Sequence, residues 1–180
     1  MTLRESHPVE LVDEAGRAIG VCRVDEAHRQ PGRLHRAFSV LLLDASGRLL
    51  LQQRAAAKTR FPLRWANSCC GHPAPGQSVL AAANDRLREE LGIGPVALTE
   101  VGVYTYRAED PATGRVEFEY DHVLRGDLPA DQTLRPDPDE VAALRWISLA
   151  DLRAELDTNP DAFAPWLAGV VTTYLKWTAA

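Results

Sequence analysis

The chain has 180 residues, 46% of them hydrophobic, and a formal net charge of −5 at pH 7. This length suits one domain, and the apolar content allows a proper core, which argues against global disorder. The acidic balance, with no Lys/Arg-rich run, argues against a nucleic-acid surface, although a small anionic ligand needs only a few local cations.

No segment approaches the roughly 20 apolar residues that span a bilayer, so we expect no membrane span. The start, MTLRESHPVE, lacks the apolar core of a secretion signal. We therefore expect a cytoplasmic protein, whose cysteines stay reduced.

Strand-length apolar segments dominate the first half of the chain. Two short strands around a turn are predicted by VELVD, EAG and RAIGVCRV. A loop is predicted by the polar stretch DEAHRQPGRLHR, which contains Pro31 and Gly32. A hairpin follows, with the strands AFSVLLLD and RLLLQQRA joined by DASG.

The clearest helix is predicted over residues 78–91, with Ser78 as its N-cap and Gly92 placed to end it. Its apolar stripe consists of Leu80, Ala83, Leu87 and Leu91. This stripe indicates a helix that packs one face on a core.

Further strands and two closing helices are predicted in the second half. The strands are VGVYTYRA, RVEFEYDHVLRG and LRWIS, and the helices are SLADLRAEL and PDAFAPWLAGVVTTYLKW. Because strands and helices do not alternate regularly, the pattern favours a mixed-sheet domain of the α/β or α+β class.

The stretch NSCCGHP places two of the three cysteines side by side. In an extended segment, Cys70 and His72 share one face and Cys69 points to the other. Pro73 favours the extended form, and Gly71 allows a ligand to come close to the backbone. Two buried cysteines that only pack in a core are the alternative.

The stretch RVEFEYDHV places Glu117 and Glu119 on the same side of a predicted strand, opposite Phe118 and Tyr120. Neighbouring carboxylates repel each other unless water or a cation lies between them. The alternative is a polar strand edge that faces solvent.

Histidines could complete a metal site with these glutamates. The five histidines are His7, His28, His35, His72 and His122. Imidazole nitrogen and carboxylate oxygen together suit Mn²⁺, Zn²⁺ or Fe²⁺, so three histidines and two glutamates make a chemically sensible site. Each histidine alone could equally be an ordinary surface or core residue.

Two charge patterns suggest an anion site. Arg86 and Glu90 share a helix face, in the order that stabilises a helix less, as expected if Glu90 holds a metal ion and Arg86 an anion. Arg54 and Lys58 follow a predicted strand and could hold a diphosphate. Ordinary solvated charges are the alternative in both cases.

Five separated motifs together resemble type I isopentenyl-diphosphate isomerase, a family of the Nudix superfamily. They are RLHRAFSVLLLD, RWANSCCGHP, LREELGI, VEFEYDHV and FAPW, and the likeness runs from about residue 28 to residue 166. It implies a Nudix-like mixed sheet between helices, with an N-terminal extension of about residues 1–34, a core of about 35–150 and C-terminal helices of about 151–180.

The Nudix signature is only partly present. The residues that fit it are Gly71, Glu89, Glu90 and Gly92. Gln77 stands where its first glutamate belongs, and Asp85-Arg86 replaces Arg-Glu. These departures weaken a hydrolase interpretation and leave any role of Gln77 open.

Position by position, the resemblance implies a set of site residues. One divalent ion, Mn²⁺ or Zn²⁺, would be bound by His28, His35, His72, Glu117 and Glu119. Glu90 would hold Mg²⁺ with a substrate diphosphate, and the diphosphate contacts would be Arg54, Lys58 and Arg86. Cys70 and Glu119 would transfer protons, with Tyr106 assisting Glu119 and Trp166 covering the hydrocarbon end.

The resemblance implies an isomerase of isoprenoid precursor biosynthesis, which interconverts isopentenyl and dimethylallyl diphosphate by protonating and deprotonating the alkene. The alternatives are a Nudix hydrolase of a nucleoside diphosphate derivative and a binding module with a structural metal site. We expect a small-molecule partner and leave the oligomeric state open.

Overall fold

The computed structural model describes residues 3–180 of the chain. Within this range, nine strands form one mixed sheet. The strands are β1 (Pro8–Val12), β2 (Ala18–Arg23), β3 (His35–Leu43), β4 (Leu49–Arg54), β5 (Trp65–Ala66), β6 (Cys69–Gly71), β7 (Leu98–Glu109), β8 (Val116–Asp127) and β9 (Val141–Ile147). The α-helices are α1 (Val24–Ala27), α2 (Val79–Leu91), α3 (Leu149–Thr158) and α4 (Leu167–Thr178), and short 3₁₀ turns cover Leu3–Ser6 and Pro160–Ala162.

Strand β3 organises the sheet. Along its full length it pairs in parallel with β8, which places His35 opposite Glu119. Strands β1, β6 and β4 each pair antiparallel with a short part of β3. Strand β6 pairs at its centre and brings Cys70 opposite Ser39. Segments that are distant in sequence therefore meet around β3.

The sheet has a hydrophobic core on each face. Consecutive residues alternate between the two cores, since Val40 and Leu42 belong to one and Leu41 to the other. The first core is closed by α2 through Ala83, Leu87 and Leu91. The second is closed by α3 and α4 through Leu152, Leu167, Val170 and Val171. The predicted fold class, a mixed sheet between helices, is confirmed.

The predicted hairpins and the main helix are confirmed in detail. Strands β1 and β2, and strands β3 and β4, pair antiparallel as expected. The Ser78 side chain accepts a hydrogen bond from the Ala81 backbone N–H, and Gly92 ends α2 with a left-handed φ of 64°. Glycine adopts this conformation at little cost, which explains its position there.

Three local predictions were wrong. Leu80 is 40% exposed, because Ala82 and Ala83, not Leu80, face the sheet in the first turns of α2. The predicted loop after β2 begins as helix α1, with two acidic residues in its first turn, and ends inside β3 at His35. The last helix begins only at Leu167, because Phe163 is extended and Pro165 disfavours a helical conformation just before it.

The N-terminal segment joins the same sheet, through pairing of Leu11 in β1 with His35 in β3. The division into extension, core and C-terminal helices stays a prediction. None of the helices in residues 3–180 has the length and apolarity needed to cross a bilayer.

Candidate active site

A cavity of about 490 Å³ lies where β4, β6, β7 and β8 meet the N-terminal segment. Its wall includes Arg54 from β4, Cys70 from β6, Tyr106 from β7 and Glu119 from β8. The N-terminal segment contributes Glu5 among others. A cavity of this size suits a small molecule, since ligand pockets are typically about 300–1,000 Å³.

Three imidazoles and a carboxylate converge at one end of the cavity. The ligand atoms of His28, His35, His72 and Glu119 all lie within 4.8 Å of one another. Glu117 adjoins them, with its Oε2 atom 2.7 Å from His28 Nε2. We call these five residues the histidine–glutamate cluster. The parallel register of β3 and β8 creates it, because it sets His35 beside Glu119.

The hydrogen bonds of two histidines fix which ring nitrogen carries the proton. Nδ1 of His28 lies 2.7 Å from the Val24 carbonyl oxygen, and Nδ1 of His35 lies 2.7 Å from that of Arg33. A carbonyl oxygen only accepts, so both Nδ1 atoms must donate. Each Nε2 is the ring nitrogen that faces the cluster, and in the neutral tautomer with the proton on Nδ1 it carries a lone pair.

These ring nitrogens lack hydrogen-bond partners. Neither His28 Nε2 nor His35 Nε2 has a hydrogen-bond partner within residues 3–180, and the same holds for Glu117 Oε2. His28 Nε2 and Glu117 Oε2 face each other at 2.7 Å. Buried polar atoms are rarely left unsatisfied, and a divalent ion between them would satisfy all three. The cluster therefore fits a bound divalent metal ion.

Glu119 is held in its ionised form. Burial and the neighbouring Glu117 charge raise its pKa, but the imidazoles of His35 and His72 outweigh them and hold the pKa of Glu119 at about 2. His72 Nε2 lies 2.9 Å from Glu119 Oε1, and burial lowers the pKa of His72 to about 4. A neutral His72 thus contacts a carboxylate anion.

Tyr106 donates its hydroxyl hydrogen to the other oxygen of Glu119, Oε2, at 2.6 Å. Burial, followed by the Glu119 charge, raises the pKa of Tyr106 well above its usual value, so the phenol keeps its proton. The Trp166 ring lies 5.9 Å from that of Tyr106, and its Nε1–H donates to Asn67 Oδ1. Asn67 thereby fixes an aromatic wall of the cavity.

The two adjacent cysteines point to different surroundings. Cys70 lines the cavity, whereas Cys69 is fully buried in the core beneath α2. Arg54 Nη1 lies 3.8 Å from Cys70 Sγ. Burial raises the pKa of Cys70 to about 12 although Arg54 opposes the shift, so the sulfur carries a proton at neutral pH in this state.

The opposite end of the cavity is a cation–carboxylate cluster of Lys58, Arg86, Glu90 and Glu140. Lys58 pairs with Glu140 and lies 3.8 Å from Glu90. Arg86 pairs with Glu90 and lies 3.4 Å from Glu140. Gln52 donates from Nε2 to Glu90 Oε2 at 3.1 Å. All four charged side chains are therefore engaged with one another.

The structure brings most of the predicted site residues together around one cavity. His28, His35 and Glu90 are buried just behind its wall. Gln77 lies apart from the cavity lining, where it accepts a hydrogen bond from the Ala74 N–H and donates to Asp85. His122 also lies apart, bonded to Arg36 and Glu100.

Three charged site residues were not predicted from the sequence. Arg60 donates from Nε to Glu117 Oε1 at 2.9 Å and from Nη1 to Glu5 Oε1 at 2.8 Å. Glu140 pairs with the cations described above. Arg60 stands two residues after Lys58, a weak signal, and nothing local marks Glu5 or Glu140.

The fold and the cavity can now be compared with known proteins. Residues 33–167 match the NUDIX domain family. A crystal structure from Deinococcus radiodurans superposes with a TM-score of 0.72 at 21% identity and covers 93% of this chain and 99% of that one. Caenorhabditis elegans Ap4A hydrolase gives 0.55 at 19% identity and covers 80% and 97%. At these identities both structures show the fold alone, and it is the family match that identifies a Nudix-domain protein.

Curated relatives show which family of Nudix-domain proteins the chain belongs to. A protein from Nocardia farcinica named isopentenyl-diphosphate Delta-isomerase is 68% identical over 164 residues, which are 91% of this chain and 92% of the relative. A protein of the same name from Streptomyces coelicolor is 49% identical over 163 residues, 91% of this chain and 81% of its own. The chain belongs to the isopentenyl-diphosphate Delta-isomerase family, and the predicted resemblance is confirmed.

Proposed function

We propose that this chain interconverts isopentenyl diphosphate and dimethylallyl diphosphate. The observation that carries the proposal is one cavity that joins a thiol, Cys70, a carboxylate, Glu119, and a cluster of cations. Moving a double bond along a carbon chain requires one proton to be added and another removed. The names of the relatives support the same activity.

Cys70 and Glu119 are the two proposed proton-transfer groups. Protonating an unactivated alkene passes through a state close to a tertiary carbocation, so the groups must be positioned and water excluded. Tyr106 orients Glu119 through its 2.6 Å hydrogen bond. The Trp166 indole, fixed by Asn67, presents an aromatic surface to the hydrocarbon end and can stabilise a cation by roughly 0.5–2 kcal/mol.

A divalent ion, Mn²⁺ or Zn²⁺, held by the histidine–glutamate cluster would supply positive charge that fixes the Glu119 carboxylate. Neighbouring groups of the chain orient the side chains of this cluster. The Val24 and Arg33 carbonyls orient the rings of His28 and His35. Arg60 occupies one oxygen of Glu117 and leaves the other facing the rings.

The diphosphate of the substrate would bind at the cation–carboxylate cluster. Lys58 and Arg86 would contact its oxygens, and Glu90 would hold Mg²⁺ beside it. Arg54 lies between the two ends, 3.8 Å from Cys70 and 5.4 Å from the Trp166 ring. With Arg54 there, the five-carbon chain would extend toward Cys70 and Glu119. We also propose a cytoplasmic location, as expected for small soluble substrates.

Proton NMR of isopentenyl diphosphate with the purified protein and Mg²⁺ in D₂O tests the proposal. We expect dimethylallyl diphosphate to form and deuterium to enter the carbon chain. Release of phosphate without a double-bond shift would favour a Nudix hydrolase instead. Retention of metal with neither reaction would favour a binding module.

A further inference from the structure

The cation–carboxylate cluster carries as many negative as positive groups. Lys58 and Arg86, two of the three cations expected to meet a diphosphate, face Glu90 and Glu140. All four side chains are largely buried, so solvent screens their charges little. The two cations and two carboxylates of this cluster cancel formally, so it is the nearby Arg54 that is left to attract an incoming anion.

The two carboxylates differ in how they are held. Glu90 projects from α2, is 1% exposed and accepts a hydrogen bond from Gln52. Glu140 directly precedes β9 and contacts both cations. A diphosphate that contacts Lys58 or Arg86 must therefore compete with Glu140. A diphosphate that approached without a cation would meet two like-charged carboxylates beside these cations, which disfavours binding.

We propose that Glu140 is a counter-ion that keeps Lys58 and Arg86 from binding a metal-free diphosphate, so that the site selects a diphosphate complexed with a divalent cation. The proposal rests on the proposed function of this end of the cavity. A complexed diphosphate carries less negative charge, and its cation offers Glu90 and Glu140 a new partner. Lys58 and Arg86 can then turn to the phosphate oxygens.

Calorimetric binding of inorganic pyrophosphate, with and without Mg²⁺, tests this role. In Glu140→Gln, which keeps the side-chain shape, we expect metal-free pyrophosphate to bind about tenfold more tightly than in the wild type. The matched control is Glu89→Gln. Glu89 also pairs with Arg86, at 2.8 Å, but is 48% exposed, so its loss should change the affinity by less than about twofold.

A second readout separates this role from a structural one. The Mg²⁺ dependence of KM should become shallower in Glu140→Gln than in the wild type. A loss of stability alone would not produce that pattern. Weaker or unchanged metal-free binding in a folded Glu140→Gln variant would overturn the proposal, since Glu140 would then only position the cations.

The wild type gives a test that does not depend on the variant. Equal affinity for pyrophosphate with and without Mg²⁺ would overturn the inference while leaving the proposed function intact. Absence of pyrophosphate binding at every Mg²⁺ concentration, together with no double-bond shift, would instead overturn the proposed function and the inference with it.

Discussion

The two ends of the cavity satisfy their polar groups in opposite ways. At the histidine–glutamate cluster, His28 Nε2, His35 Nε2 and Glu117 Oε2 lack hydrogen-bond partners within the described part of the chain. At the cation–carboxylate cluster, Lys58 and Arg86 are already paired with carboxylates. One end presents acceptors ready for a cation, and the other must exchange partners before it binds an anion.

This difference indicates two separate binding steps. A metal ion at the first end would replace only the His72–Glu119 contact, because the rings of His28 and His35 are already oriented from behind by the Val24 and Arg33 carbonyls. A diphosphate at the second end replaces existing ion pairs. Its affinity therefore depends on which cation then neutralises the carboxylates that have lost their partners. Variants that affect one end and spare the other can test this separation.

The largest effect is expected for Cys70→Ala. Cys70 lies between the two ends, and proton transfer by a positioned group typically contributes about 10²–10⁴-fold to a rate. We expect the isomerisation rate, followed by proton NMR, to fall by about that factor while metal content and pyrophosphate binding stay unchanged. Substantial activity in this variant would remove Cys70 from the chemistry.

A large effect confined to the metal end is expected for His28→Ala. Adding Mn²⁺ or Zn²⁺ at about 100 times its dissociation constant should stabilise the wild type by about 2.7 kcal/mol, because the ion binds only the folded state. This stabilisation raises the melting temperature of the wild type. His28→Ala should lose most of that rise and keep its pyrophosphate affinity. The control, His122→Ala, removes a histidine that lies outside the cluster. If both variants respond equally to the metal, the cluster is not the binding site.

An intermediate effect is expected for Arg60→Gln. Arg60 donates to Glu117 Oε1 and leaves Oε2 directed at His28. Loss of such a supporting contact typically costs about 10–100-fold in metal affinity. A competition titration with a chromophoric chelator measures this affinity directly. Arg115→Gln is the control, because Arg115 approaches Glu5 at 3.7 Å as a second arginine of the same network. A metal affinity equal to the wild type would show that Arg60 does not orient Glu117.

The sequence was sufficient to predict which side chains of a short segment lie on the same face. Alternation along a strand placed Cys70 opposite Cys69, and the structure shows Cys70 in the cavity wall and Cys69 in the core. The N-cap Ser78 and the terminal Gly92 bounded α2 correctly, because both act through local backbone contacts. Such local features can be predicted because they depend only on interactions between residues close in sequence.

Long-range contacts could not be predicted in the same way. His35 lies beside Glu119 only because β3 and β8 pair in parallel, and no local pattern specifies that register. Their grouping was inferred from the family resemblance instead. Arg60, Glu5 and Glu140 were missed because each looks like an ordinary surface charge until the fold buries it against a partner. The charge balance of the diphosphate end is thus visible only in three dimensions.

The smallest effect on either end is expected for Cys69→Ser. The Cys69 side chain is fully buried beneath α2, and burial, followed by the charge of Glu90, raises the pKa of its thiol well above the usual value. A serine hydroxyl can still donate toward Glu90, but transferring a hydroxyl into this core should cost about 1–3 kcal/mol of unfolding free energy, measured by urea denaturation. The isomerisation rate should stay within about twofold of the wild type.

Cys22→Ser provides the matched control, because Cys22 is also buried but packs against Val9, Leu11, Val24 and Ala27, in a cluster separate from the Cys69 core. Both serine variants should lose stability and keep activity. A large fall in the rate of Cys69→Ser, with stability equal to that of Cys22→Ser, would mean that Cys69 acts on the diphosphate end through Glu90. The two cysteines of the pair would then serve different ends of one cavity, and Cys69 could no longer be treated as packing alone.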